Sequence, residues 1–483
     1  MRNPERGQEI TIPLLYGDGR RSNTLDWSTR LPENMLAVSR NIKGGNGYMR
    51  IMPGITKRGD DVAGVSRGAD WNTVKGQTYR VMGQSLYLDG EVVDSITGVD
   101  RTPMAHSRNR VAIVTENRMI MIGYDGSRTA FSNWPTSDDD PIAQYNWGDI
   151  NDVCHLRQRF IFSTKGTDTF WISDLDDETH PDKTAPAYRA ESMPDGIVAI
   201  RSWRDYVVCF GSASIEFFGL TGDDQNVYAN QPSYTIDAGT IGRESVCEYL
   251  ESFAFLVSPF SGDLTIGLMN PGGGSWSELA SVEVKKILMG YTVEELADVR
   301  LESLTFETHK LLIVHLPDYT LVYDHPVSQA QGVPVWSYIK TGINGIKPHR
   351  AIDYVNEGKV ITVGDKVEPW LGQLDHTTSA QYGEDQEIVL YTPLLWAENA
   401  ILADFRMDAS TGGDSVASRI WLSATEDGIV YGQEKSIDYN KPFHWLQNII
   451  LRVVGRVRSA IGFKIRTVGA TPATLSRARV RVT

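Results

Sequence analysis

The most regular feature of this chain of 483 residues is a series of paired apolar runs. In each pair, two short runs of β-branched and aromatic residues flank a turn rich in Gly, Pro, Asn, Asp or Ser, which is the pattern of a β-hairpin. The stretch "RDYVVCFGSASIEFFG" (Arg204–Gly219) is one example. Seven such hairpins follow one another, and their first strands start at Tyr79, Val111, Phe160, Val207, Phe253, Leu311 and Val360.

These starting positions are 32, 49, 47, 46, 58 and 49 residues apart. Four of the six spacings lie near 47, and a four-stranded propeller blade takes about 40–50 residues. A helical repeat is excluded because the units lack a period of 3.6 residues. One hairpin is not stable alone, so the units must stack on one another. The pattern predicts a mainly β fold, with a β-propeller-like array of about six or seven blades over residues 61–385. A set of irregular β-sandwiches is the competing architecture.

One segment carries helical signals instead. In "TVEEL" (Thr292–Leu296) a threonine stands three residues before a glutamate, which is a capping box. The preceding "SVEVKKIL" is expected to form a short helix that ends near Gly290. This insertion accounts for the long spacing of 58 residues.

The segments 1–60 and 386–483 lie outside the repeat. The C-terminal segment is rich in strand patterns, including "RIWLSATEDGIVYG", "IILRVVGRVRS" and "IGFKIRTVG". In "RARVRVT" each arginine alternates with a small or apolar residue, as on a strand with one exposed basic face. We therefore expect segment 1–60 to pack with segment 386–483 in one β-rich domain beside the propeller.

Charge is distributed unevenly along the chain. The net charge is −14, but positions 439–483 hold nine basic residues and no acidic ones, so residues 1–438 carry −14 − 9 = −23. The basic segment is predicted to dock an acidic protein partner; a solvated sheet face and contact with nucleic acid are the other interpretations. Tight DNA binding is not expected, because the field of the acidic body repels a polyanion. The candidate docking residues are Arg452, Arg456, Arg458, Lys464, Arg466, Arg477, Arg479 and Arg481.

The sequence contains no motif that supports an enzyme, since GxxxxGK[ST], HExxH and GxSxG are all missing. "LSATEDGIVYG" (Leu422–Gly432) is similar to the Asp-box hairpin of propeller glycosidases, but it fits only once. We predict no catalytic residue, no metal and no cofactor. A propeller that binds or cleaves glycans, and a general interaction scaffold, are the alternative functions.

Cysteines and acidic clusters have ordinary interpretations. Cys154, Cys209 and Cys247 lack metal or disulfide spacing and are expected to be small buried residues. The acidic stretches Thr136–Pro141 and Ser173–Asp182 are expected to be solvated turns, with a cation site open at the second. No run of about 18 apolar residues and no secretory signal occurs, so we expect folding in a cytoplasm.

Several longer stretches along the chain carry a resemblance to known proteins. They are Leu31–Val38, Gly47–Gly59, Gly64–Asn72, Gly166–Gly222, Leu311–Asp324, Leu422–Gly432 and Val454–Arg466. In matching order they resemble the packaged-DNA stabilisation protein or tail hub family of short-tailed lambdoid phages. The resemblance extends over almost the whole chain, and the first 25 residues match least.

The resemblance implies a structural protein of the virion tail, assembled in the host cytoplasm. It implies a homo-hexameric ring beneath the portal-adaptor protein, plugged by a trimeric tail needle, with the tailspike as a further candidate partner. Such a ring retains packaged double-stranded DNA and conducts it during ejection without binding it specifically. No catalytic residue and no cofactor is associated with the family.

Overall fold

The computed structural model describes residues 8–15, 19–21, 27–40, 47–130, 148–182, 187–345, 347–410, 418–439 and 446–482. The predicted turn Thr136–Pro141 and the basic residue Lys441 lie outside these ranges. The chain begins with six short strands, β1 (Glu9–Ile12), β2 (Gly19–Arg21), β3 (Trp27–Thr29), β4 (Met35–Val38), β5 (Tyr48–Ile51) and β6 (Gly54–Lys57). Strands dominate the rest of the described chain as well, so the predicted fold class is confirmed.

Six four-stranded antiparallel sheets follow in chain order, and each forms one blade. Blades 1 to 3 contain β7 (Ser66–Asn72), β8 (Gln77–Met82), β9 (Ser85–Leu88), β10 (Glu91–Ser95), β11 (Met104–His106), β12 (Arg110–Thr115), β13 (Arg118–Gly123), β14 (Arg128–Ala130), β15 (Ile150–Leu156), β16 (Arg159–Thr164), β17 (Thr169–Ile172) and β18 (Tyr188–Arg189). Blades 4 to 6 contain β19 (Ile197–Trp203), β20 (Tyr206–Gly211), β21 (Ile215–Leu220), β22 (Tyr228–Asn230), β23 (Val246–Tyr249), β24 (Ser252–Val257), β25 (Thr265–Met269), β26 (Trp276–Glu278), β27 (Arg300–Phe306), β28 (His309–His315), β29 (Thr320–Asp324) and β30 (Trp336–Tyr338).

The seventh blade is built from both ends of the repeat. It contains β31 (Ala351–Asn356), β32 (Ile361–Asp365), β33 (Leu371–Asp375) and, as its outer strand, β6. Strand β6 pairs antiparallel with β33, with Ile55 opposite Leu374. A division of the chain at residue 60 therefore does not follow the sheets. The physical reason is ring closure: a strand from before the repeat completes the last blade and joins the two ends by hydrogen bonds.

The repeat that the sequence predicted is the middle hairpin of each blade. Six of the seven predicted starting positions lie within the second strand of a blade, and Val360 directly precedes β32. Six of the seven neighbouring pairs of first strands contact each other directly, and β19 contacts the turn Arg243–Ser245 that leads into β23. The strands β7, β11, β15, β19, β23, β27 and β31 therefore surround the propeller axis. Apolar side chains fill the space between blades; Phe210 of blade 4 packs edge-on against Phe253 of blade 5.

Three short helices interrupt the blades. The predicted insertion forms α1 (Val282–Leu288) and α2 (Val293–Leu296), and the capping box of Thr292 and Glu295 is present. A third helix, α3 (His325–Gln331), was not predicted, although Pro326 in its first turn and the left-handed Gly332 after its end are typical boundary signals. None of the described helices is long and apolar enough to cross a membrane.

The remaining strands form a sandwich of two sheets. They are β34 (Gln386–Tyr391), β35 (Leu395–Trp396), β36 (Ile401–Ser410), β37 (Ser418–Thr425), β38 (Lys435–Tyr439), β39 (Leu446–Arg456), β40 (Ala460–Gly469) and β41 (Thr474–Val482). One sheet has the order β39-β36-β41-β5-β4, with β1 also on β41; the other has the order β34-β40-β37-β38, with β35 on β40. Phe405 and Phe463 meet between the sheets, with ring centroids 4.8 Å apart. The expected composite of both chain ends is confirmed.

Two local predictions have different outcomes. Cys154 and Cys209 are buried and Cys247 is partly buried, and all three are free, as expected of small core residues. In "RIWLSATEDGIVYG" the first strand forms as β37, but the return run Ile429–Gly432 is not a strand. The Asp427 carboxylate instead accepts hydrogen bonds from the backbone N–H groups of Ile429 (2.8 Å) and Val430 (2.9 Å). These bonds stabilise a turn where the second strand was expected.

Candidate functional site: the propeller axis and the sandwich edge

Charged side chains from the inner strands meet on the propeller axis. Arg300 at the start of β27 donates to Glu302 at 2.8 Å, lies 2.8 Å from Asp353 of blade 7, and pairs with Glu244 at the entry to blade 5. Arg201 of blade 4 pairs with Asp152 of blade 3. One guanidinium therefore bridges three blades, and a second joins two more.

The two remaining blades join the same cluster through Asp353. This carboxylate is fully buried and accepts a hydrogen bond of 2.6 Å from Ser66 Oγ of blade 1. Arg101, in the segment that leads into blade 2, donates to it at 3.0 Å. Arg243 donates to the backbone oxygens of Asn151 (2.7 Å) and Arg101 (3.2 Å). We call this set the axial cluster; it comprises Ser66, Arg101, Asp152, Arg201, Arg243, Glu244, Arg300, Glu302 and Asp353.

Three carboxylates of the axial cluster, Asp353, Glu244 and Glu302, have lowered pKa values. Burial alone would raise the pKa of Asp353, but the charges of Arg101 and Arg300 lower it to about 2. The pKa values of Glu244 and Glu302 are lowered in the same way: burial opposes ionisation, and Arg300 outweighs it. A glycosidase needs one carboxyl group with a raised pKa as general acid. None of these three carboxyl groups meets that requirement.

A histidine–lysine pair extends the cluster outward. Lys366 Nζ lies 2.9 Å from His315 Nδ1, and His315 Nε2 lies 3.3 Å from Glu302. Since an ammonium group can only donate, Nδ1 is the acceptor and the ring proton is on Nε2, facing Glu302. Burial, with the Lys366 charge second, lowers the pKa of His315 to about 4, and burial lowers the pKa of Lys366 to about 8.

Sequence reasoning missed the axial cluster. A periodic signal was nevertheless present, because Asp152, Arg201, Glu244, Arg300 and Asp353 are separated by 49, 43, 56 and 53 residues, close to the blade repeat. Only the closed circle of inner strands brings these positions together on one axis.

Most of the predicted docking residues are neutralised within the chain. Arg466 donates to Glu434 at 2.7 Å and 3.0 Å, and Lys464 lies 3.9 Å from the same carboxylate. On β41 the predicted alternation is confirmed, with Ala478, Val480 and Val482 in the core and the arginines on the outer face. Those arginines also face acids: Arg477 pairs with Asp408, Arg479 lies 3.4 Å from Glu9, and Arg481 lies 2.7 Å from Asp404.

Three of the eight are exposed and have no ion pair with any other described residue: Arg452, Arg456 and Arg458. Arg452 and Arg456 lie on β39, which pairs with β36 and is the edge strand of its sheet. Ile401 lies opposite Arg456 in the register and is 52% exposed, and Ile450 on β39 is exposed as well. We call Ile401, Ile450, Arg452, Arg456 and Arg458 the β39 stripe.

An aromatic residue lies at the end of the β39 stripe. Trp396 on β35 is 58% exposed and pairs with Ala460, two residues after Arg458 in the chain. Exposed tryptophan, isoleucine and arginine side chains together are typical of protein–protein contact sites. The structure therefore narrows the predicted basic surface from eight residues to a strip along one sheet edge.

A buried lysine joins the propeller to the sandwich. Lys340 follows β30, is 1% exposed, and donates to Glu33 (2.5 Å) and Glu387 (2.8 Å). Glu33 bridges by backbone to Val389 of the sandwich and to Tyr338 of blade 6. These ion pairs, together with the N-terminal segment that carries Glu33, connect the propeller to the sandwich. They line a cavity of about 400 Å³.

Three carboxylates of the acidic loop Ser173–Asp182 accept hydrogen bonds from other side chains of the same chain. Asp177 accepts from Thr179 Oγ1 at 2.6 Å, Glu178 from Ser107 Oγ at 2.6 Å, and Asp182 from Arg159 at 2.5 Å. Across the described ranges, no three His, Cys, Asp or Glu side chains are grouped in a way that could hold a metal ion.

Comparison with known proteins gives a consistent result. Residues 10–379 match the family model described as the β-propeller of bacteriophage P22 Gp10, and residues 387–483 match its β-sandwich. The chain is 41% identical over 474 residues to the tail hub protein gp10 of Salmonella phage P22, covering 98% of this chain and 99% of that protein. Neither description names a catalytic activity, in agreement with the prediction that the chain is not an enzyme.

Solved structures are much more distant. The extracellular domain of a hybrid two-component system from B. thetaiotaomicron is 9% identical, with a TM-score of 0.41, over 67% of this chain and 39% of that one. PorZ of Porphyromonas gingivalis is 11% identical, with a TM-score of 0.36, over 82% and 46%. Likeness at this level identifies neither a shared fold nor a shared function.

Proposed function

The chain belongs to the bacteriophage P22 Gp10 family, and on that premise we propose that it is the structural tail hub of a short-tailed phage virion. In this role six copies form a ring that closes the portal-adaptor channel. The ring retains packaged DNA together with a trimeric tail needle and conducts the DNA during ejection. The observation that carries the proposal is 41% identity to a tail hub over essentially the full length of both proteins.

The axial cluster supports a passage formed between copies. Ion pairs from blades 2 to 7, and the hydroxyl of Ser66 from blade 1, occupy the axis of one propeller, so the described residues of a single chain leave no path for a double helix. A conduit for DNA must then be enclosed by several chains arranged around a common axis.

The charge distribution fits the same role. Residues 1–438 carry a formal charge of −23, and an acidic lining would keep DNA from adhering because contacts with many phosphates slow release. The β39 stripe, as the exposed remainder of the basic segment, is the candidate surface for docking the adaptor or a neighbouring subunit.

Two measurements on the full chain test the proposal. Native mass spectrometry and electron microscopy should show rings of six subunits. DNA-filled phage heads that lack a hub should retain their DNA for longer after addition of the purified chain and its needle. A chain that stays monomeric at every concentration and salt, and leaves DNA loss unchanged, would contradict the proposed function.

A further inference from the structure

Strand β39 leaves one of its edges without a strand. It is 11 residues long and pairs with β36, and no other described strand pairs with it. Such an edge presents a row of backbone N–H and C=O groups that can accept a strand from another chain. The side chains along it are basic and apolar, because no acidic residue follows Asp438 in the sequence.

The outer strand of blade 1, β10, carries acidic side chains where β39 carries basic ones. Strand β10 has five residues, whereas the outer strands of the other six blades have two to four. Val92 and Val93 on β10 are 59% and 50% exposed. The segment Tyr87–Asp100 contains four acidic residues and no basic one. Asp94 pairs with Arg128 of blade 2 at 2.8 Å, which leaves Glu91 as the exposed acidic side chain on β10 beside the two valines.

We propose that the β39 stripe of one copy docks on β10 of the next copy. Arg452 and Arg456 would face acidic side chains such as Glu91, while Ile401 and Ile450 would cover Val92 and Val93. Opposite charges and apolar pairs across neighbouring strands both stabilise a sheet. The proposal rests on the proposed ring and specifies which surfaces of the subunit form it.

The two surfaces are different, so the contact is heterologous. Repetition of one heterologous contact closes into a ring when the rotation between copies divides a full turn. Irregular register on both strands, between Val92 and Asp94 on β10 and between Leu402 and Asp404 beside β39, limits pairing with unrelated edges.

Charge exchange between the two surfaces tests this contact. One variant carries Arg452→Glu and Arg456→Glu, and a second carries Glu91→Lys and Ser95→Lys. Each variant alone should remain folded by circular dichroism and lose at least tenfold in ring formation by native mass spectrometry. A mixture of the two should recover rings with alternating subunits, because every interface then again pairs opposite charges. Controls are Arg118→Glu and Glu294→Lys, each of which reverses one charge of the same kind at an exposed site elsewhere and should assemble as the unmodified chain does.

The outcomes separate this contact from the proposed function. If the unmodified chain forms rings and either charge variant does so equally well, the proposed β39–β10 contact is wrong. The proposed ring is then supported by the rings of the unmodified chain. If both variants fail and their mixture also fails, the contact is again wrong. If the unmodified chain never forms a ring, the proposed function fails and the contact fails with it.

Discussion

Arg101 and Asp353 form a buried ion pair across the propeller axis, although 252 positions separate them in the chain. The pair links the segment entering blade 2 to blade 7, on either side of the point where β6 closes the ring. Asp353 has a left-handed backbone conformation with φ of 59°, which asparagine and aspartate tolerate better than most residues. The axial cluster and strand β6, which completes blade 7, therefore both stabilise the region where the two ends of the propeller meet.

Asp353→Asn is expected to lower the free energy of unfolding by about 3 kcal/mol, because it keeps the shape and removes the buried charge that compensates two partly buried arginines, Arg101 and Arg300. Urea unfolding followed by fluorescence measures the change. Asp205→Asn removes one partner of the exposed Arg157–Asp205 pair and should cost less than about 1 kcal/mol. Equal losses in the two variants would show that the axial cluster has no special role in stability.

The buried histidine His315 predicts a pH dependence of stability. Its pKa is lowered to about 4 in the folded chain, whereas an unfolded histidine titrates near 6.5. Between these values the unfolded state binds the additional proton, so stability is complete above pH 6.5 and declines as the pH falls towards 4. The decline should reach about 3 kcal/mol for this residue.

A thermal melt series from pH 7.5 to 4 checks this expectation. His315→Gln should reduce the decline by the share of this residue, and the rest belongs to His155 and His349, whose pKa values burial also lowers. The carboxylates of the axial cluster act in a separate, more acidic window. Since the pKa of Asp353 is lowered to about 2, its contribution is lost only as the pH falls from about 4 towards 2.

Two arginines predicted for the same surface should behave differently. Arg466→Glu places a carboxylate beside Glu387 and Glu434 and removes a guanidinium that also stacks on Trp421, so it should destabilise the sandwich by about 1–3 kcal/mol. Arg458→Glu, at an exposed position, should change stability by less than about 0.5 kcal/mol. Denaturant unfolding distinguishes the two, and a reversed order would mean that the ion pairs of Arg466 contribute nothing.

Strand β6 is expected to be sensitive to one added methyl group at Gly54. Gly54 begins β6, and a Cβ at this position would clash with the backbone oxygens of Thr378 and Ala380. Gly54→Ala should therefore destabilise the propeller by about 1–3 kcal/mol and speed hydrogen exchange in β33. Gly272→Ala, where the added methyl group meets open space, is the matched control. Unchanged exchange in β33 would show that β6 does not hold the last blade.

Local patterns predicted the hairpins because the information is local. In the run from Tyr206 to Leu220, alternation and turn residues specify β20, its turn and β21 within 15 positions. The same applies to Thr292 and Glu295, which cap α2 three residues apart. The return run after Asp427 was wrongly expected to be a strand, because backbone bonds to that carboxylate compete with strand pairing.

The candidate site depended on separations that no local pattern contains. Arg452 and Arg481 have the same charge and the same strand context in the sequence, yet only Arg481 has an ion pair, with Asp404, within the described chain. The difference arises from the position of each strand in the sheet. Both arginines lie opposite Asp404 of β36 in the register, and Asp404 pairs with Arg481. Arg481 also lies opposite Glu9 of β1, whereas β39 has no second neighbouring strand among the described residues.

The sequence by itself determined the strand character, the repeated hairpins of about six or seven blades, the capped insertion and the contrast between an acidic body and a basic end. Each of these follows from residues close together in the chain. The tertiary structure alone decided that β6 closes the ring, that charged side chains from blades 2 to 7 meet on one axis, and which arginines stay exposed. Those outcomes depend on which strands become neighbours, and that is set by burial of apolar faces and ring closure across hundreds of residues.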